Sequence, residues 1–191
     1  MTMEKLRYGT KEIIATICAV ILIIASRWAE ISFFPLAEGV FGLSDWVMLR
    51  VLVVSVAAVF FGPATGLIGG LSGDLLINMI FGQAIDYIDM TAMGLYGLFL
   101  GLYFGKTHFN LRRVDIRSVI DFNVVQLLAG VFLTLFFIPM LKFLTGAPDL
   151  NTAIISGARY AVGNALLVGI VCPLIMCIVS AVAKRTGRRT T

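Results

Sequence analysis

"FFGPATGLIGGLSGDLLINMIFG", residues 60–82, is apolar almost throughout, yet it holds six glycines, Asp74 and Asn78. In water it would make a poor helix and a poor strand, because glycine weakens both. Across a bilayer the glycines become surfaces on which another helix can pack closely. Asp74 and Asn78 lie one turn apart on one helical face. At membrane depth such groups are expensive and face a bundle interior or a wet cavity.

Composition decides the solvent. The chain has 191 residues, 59% hydrophobic and 14% charged, with a mean hydropathy of +0.97. A soluble domain carries about 45–50% apolar and about 25% charged residues. The charges are clustered, leaving apolar runs such as Ile13–Ala25, Val51–Gly73, Met90–Gly105, Val124–Leu141 and Ala161–Ala183. Each is near the ~20 residues that span hydrocarbon as a helix. The first run has no small-residue cleavage site leading into a soluble domain, so it reads as a retained helix. The expectation is an all-α, polytopic membrane protein.

Six helices fit, at about residues 11–31, 45–61, 63–81, 89–105, 118–144 and 152–183, in one membrane domain over residues 1–191. Gly62-Pro63 breaks the second from the third, with proline opening the new helix. Lys5, Arg7, Lys11, Lys106, Arg112, Arg113, Arg117, Lys184, Arg185, Arg188 and Arg189 fall on one side, against Arg27, Arg50, Lys142 and Arg159 on the other. That asymmetry predicts cytoplasmic termini. The net charge of +4 therefore reflects topology, and no aromatic-interleaved basic surface points to nucleic acid. "GLIGGLSGD" lacks the lysine of a phosphate loop.

Asp74 stands ~16 Å along a helix counted from Pro63. The last helix enters from outside with Arg159, Tyr160 and Asn164, and Asn164 reaches a similar depth. These residues read either as a polar pocket open to the outside or as a hydrogen-bonded clamp between the third and sixth helices. Asn123 and Gln126 read as glue or as pocket floor. Trp28, Phe33, Phe34 and Trp46 flank an outer loop, Trp28–Asp45, as an interfacial belt or as a lid over a flat ligand. Ala15 and Ala19 share a helix face that admits close approach, by a helix of this chain or of a partner. Cys18, Cys172 and Cys177 sit in apolar runs and match no metal or disulfide spacing; His108 is alone. No catalytic set, metal site or cofactor motif emerges.

With these features the chain resembles the substrate-binding S components of energy-coupling factor (ECF) vitamin transporters, which are six-helix proteins of about this length. The likeness rests on Ala15-x-x-x-Ala19, on "VFFGPATGLIGGLSGDLL" at Val59–Leu76, on "DFNVVQLLAG" at Asp121–Gly130 and on "GNALLVGI" at Gly163–Ile170, together with the basic tail. It implies a non-enzymatic subunit of the bacterial plasma membrane that binds a vitamin from outside. It also implies association with a transmembrane T component driven by two cytoplasmic ATPases. Ala15 and Ala19 match the family's alanine motif, which implies contact with the T component. Asp74, Asn78, Arg159, Tyr160, Asn164, Phe33, Phe34 and Trp28 are the expected ligand residues, with the glycines of the third helix opening space for the ligand. Pyridoxine, a hydroxymethylpyrimidine or cobalamin leads; riboflavin, folate and pantothenate stay open. The competing classes are an autonomous ion-coupled carrier, with Asp74 as its ion site, and a membrane-embedded enzyme.

Overall fold

The computed structural model describes residues 9–41, 48–106, 114–146 and 150–187, and their regular structure is entirely helical. The helices are α1 (Thr10–Phe41), α2 (Leu49–Phe61), α3 (Pro63–Ile80), α4 (Tyr87–Lys106), α5 (Ile116–Phe132), α6 (Ile138–Leu144) and α7 (Leu150–Gly187). A π segment, Leu133–Phe137, joins α5 to α6 in one continuous rod. Gly62 adopts φ 97° and Pro63 opens α3, as the Gly-Pro pair predicts. α1 corrects an expectation. It runs on through Pro35 to Phe41, so most of the stretch read as an outer loop is helix. Leu36, Ala37 and Glu38 favour that continuation, and membrane helices tolerate an internal proline. Trp46 and Asp45 lie outside the described residues.

Four stretches are long and apolar enough to cross a membrane: Thr10–Ser32, Tyr87–Gly105, Ile116–Leu144 and Gly157–Val182. Their outer faces expose Ile13, Ile17, Ile21, Phe132, Phe136, Leu166, Ile170 and Leu174. So large an apolar surface suits lipid rather than water.

The glycines of α3 serve two helix contacts. On one face, a Cβ added at Gly66 would fall 2.6 Å from the Gly97 carbonyl oxygen, and one at Gly70 would fall 2.8 Å from that of Met93. α3 and α4 therefore touch backbone to backbone. On the other face, a Cβ at Gly73 would meet Ile23 Cδ1 at 2.6 Å, and one at Gly69 would lie 3.7 Å from Ala19 Cβ. The inward stripe of α1 is Ala15, Ala19, Ile23, Ser26 and Glu30, each less than 10% exposed. The space beside the glycines is filled by neighbouring helices, which corrects the expectation that they open a ligand cavity. It also places Ala15 and Ala19 inside the chain.

Candidate functional site

A cavity of about 130 Å³ lies where the start of α2, α4, the α5–α6 rod and α7 meet. Its walls are largely apolar, with Met48, Val51, Ala92, Met93, Leu133 and Ile138. Polar groups punctuate them: Arg50 from α2, Asp89 and Tyr96 from α4, Gln126, Thr134 and Lys142 from the rod, Tyr160 and Asn164 from α7. Apolar walls with a few placed polar groups are what small-molecule pockets present.

Several of these groups also fasten helices together. Asn164 Oδ1 accepts the Met48 N–H at 2.9 Å, tying α7 to the start of α2. Gln126 Nε2 donates to the Ala165 carbonyl at 3.2 Å, so this residue is both glue and cavity wall. The Tyr96 and Ser55 hydroxyls are in hydrogen-bond contact at 3.3 Å. Lys142 Nζ reaches Asp86 Oδ2 at 3.0 Å and Asp89 Oδ1 at 3.3 Å, so α6 is tied to the start of α4 beside the cavity. Burial alone would raise the Asp86 carboxyl, but the Asp89 N–H and the Lys142 ammonium outweigh it and hold the group below the usual aspartate range.

Of the residues expected at the site, Tyr160 and Asn164 line the cavity. Asp74 does not. It is 2% exposed and pairs with Arg50, which itself lines the cavity. Asn78 is buried on α3 outside the lining, and its carbonyl accepts the Gln83 N–H at 2.9 Å where the helix ends. Arg159 is exposed on α7, and Trp28 is 67% exposed on α1, as an interfacial belt residue would be. The Phe33 and Phe34 side chains lie outside the described residues. The cavity thus belongs to α2, α4, the rod and α7, with no contribution from α3 among the described residues.

Arg50, Asp89, Tyr96, Thr134 and Lys142 escaped the sequence reading. Two carried a signal. Arg50 and Lys142 are charges set in apolar surroundings, "WVMLRVLVV" and "FFIPMLKFL", and a charge so placed marks a functional position by default.

A UPF0397 protein of Exiguobacterium sp. is 28% identical over 181 residues, which cover 94% of this chain and 95% of that protein. A UPF0397 protein of Streptococcus pneumoniae serotype 19F is 30% identical over 84 residues, 44% of this chain and 46% of its own length. This chain therefore aligns with about half of the pneumococcal relative. No solved structure matches. The family described as the ECF-type riboflavin transporter S component matches residues 9–183. That match spans nearly the whole chain, and the chain belongs to this family.

Proposed function

We propose that this chain is the vitamin-binding subunit of an ECF-type importer, and that its ligand occupies the cavity between α2, α4, the rod and α7. The observation that carries the reading is this cavity, apolar in its walls and polar at Arg50, Tyr160 and Asn164, in a chain of the S component family. Riboflavin leads as ligand, because the family description names it. Pyridoxine, hydroxymethylpyrimidine, cobalamin, folate and pantothenate are its competitors. In this reading the protein is one domain of the bacterial plasma membrane with both termini cytoplasmic. A T component and two ATPases drive uptake, and the chain itself is no enzyme. Ala15 and Ala19 are buried against this chain's own helices, so the T component would meet the adjoining face of α1, with Ile13, Ile14, Ile17 and Ile21 exposed. Among the expected ligand residues, Asp74, Asn78 and Arg159 then act from outside the cavity wall. Asp74 in particular is engaged by Arg50, which opposes its use as an ion site by an autonomous carrier.

Reconstitution tests the reading. Uptake of riboflavin into proteoliposomes should need the T component, both ATPases and ATP. Uptake by this chain alone, driven by an ion gradient, would contradict it.

A further inference from the structure

α2 starts without a cap of its own. Met48 occupies the N-cap with extended backbone (φ −119°, ψ 107°) and makes no side-chain bond to the helix. The first N–H groups of a helix have no partner within it and need acceptors from elsewhere. Here they come from distant helices. Asn164 takes the Met48 N–H, and Glu30 Oε1 on α1 takes the Leu49 N–H at 2.6 Å. The other Glu30 oxygen accepts from Arg27 Nη1 at 3.0 Å. Glu30 is only 7% exposed, an expensive place for a carboxylate unless it has partners and a purpose. It sits outside the cavity, as does Leu49, yet the residues on either side of Leu49, Met48 and Arg50, both line it.

We propose that Glu30 is a positioning residue for ligand binding. By holding the Leu49 N–H it fixes the first turn of α2, and so sets where Met48 and Arg50 stand in the cavity wall. The negative carboxylate also complements the positive end of the α2 dipole. This links α1, which supplies no lining residue among those described, to the cavity. The inference rests on the cavity being the ligand site.

The test titrates the purified full chain with riboflavin and records the melting temperature of the empty protein for Glu30→Ala, Glu30→Gln and Leu49→Pro. Glutamine keeps an acceptor oxygen. Proline at the first helical position removes the N–H that Glu30 holds, together with the partly buried leucine side chain, and suits that position; the extended Met48 backbone is what a following proline requires. Glu30→Ala and Leu49→Pro should weaken affinity about tenfold or more, while Glu30→Gln stays within about threefold of the unsubstituted chain. Because Glu30 acts through the Leu49 N–H, adding Glu30→Ala to Leu49→Pro should cause little further loss. A purely structural Glu30 would lower the melting temperature and leave the affinity of the folded protein unchanged. That result, additive losses in the double variant, or a Glu30→Gln as weak as Glu30→Ala would each overturn the proposal. If Glu30→Ala does not fold, Leu49→Pro decides with the carboxylate intact. An unsubstituted chain that binds no vitamin overturns the ligand-site reading and this proposal with it, whereas normal binding that survives in the variants overturns this proposal alone.

Discussion

Asp74 and Asn164 show how two polar residues among apolar helices can take different work. Asp74 is 2% exposed and its partner is Arg50, whose own side chain is largely covered. Removing one member of a buried ion pair strands the other, at about 3–5 kcal/mol. Asp74→Ala should therefore lower the melting temperature of the empty, detergent-purified protein sharply, before any ligand is added. An unchanged melting temperature would mean that the pair contributes nothing to the fold. Asn164 both lines the cavity and accepts the Met48 N–H. Its replacement by alanine removes a hydrogen-bonding group worth about 1–3 kcal/mol, so riboflavin should bind roughly 5- to 150-fold more weakly. Equal affinity in Asn164→Ala and the unsubstituted chain would exclude the residue from the ligand site. At this scale the sequence was partly legible. Counting depth along two helices led to Tyr160 and Asn164, because depth depends only on rise per residue. The partner of Asp74 was hidden, since it depends on how α3 is rotated about its axis. That rotation is set by which glycines meet α4 and which meet α1.

The contact between α3 and α4 is made by backbones, and a methyl group added there has nowhere to go. Gly66→Ala would drive a Cβ against the Gly97 carbonyl and Ala58 Cβ, and overpacking of this kind typically costs about 1–3 kcal/mol. Gly105→Ala is the control, because a Cβ there meets nothing within 4 Å. Thermal melts should separate the two, with Gly66→Ala the less stable; equal melting temperatures would deny the close packing. Most helix positions could be read from apolar runs and from Gly62-Pro63, since both signals are local. The rod formed by α5, the π segment and α6 could be read only as a span. On a regular helix at about 100° per residue, Lys142 would point roughly 160° away from Gln126. The π segment absorbs about one extra residue and brings Lys142 round to the cavity, where Gln126 also lies. A one-residue shift of that kind leaves no mark in composition. The continuation of α1 from residue 31 through Pro35 to Phe41 leaves little local mark, because proline ordinarily disfavours a helix interior.

Taken whole, the molecule sheathes a small, largely apolar cavity with a few polar groups in apolar helix faces, and it has the family of a vitamin importer's binding subunit. Charged residues gather beside the cavity where Lys142 joins Asp86 and Asp89. Elsewhere the described helices present isoleucine, leucine and phenylalanine to their surroundings. Gly130 offers direct access to the question of where the ligand sits. It lines the cavity, and a Cβ built on it meets nothing within 4 Å. A phenylalanine there has room at its Cβ, and replacing a mid-helix glycine also removes part of its penalty, which is about 1 kcal/mol relative to alanine. The decisive measurement is the dissociation constant of riboflavin for Gly130→Phe beside that of the unsubstituted chain, with the melting temperature of each empty protein recorded. Filling the cavity should weaken binding by about 100-fold or more while the empty protein melts no lower. A Gly130→Phe protein that binds riboflavin as tightly as the unsubstituted chain would place the ligand elsewhere.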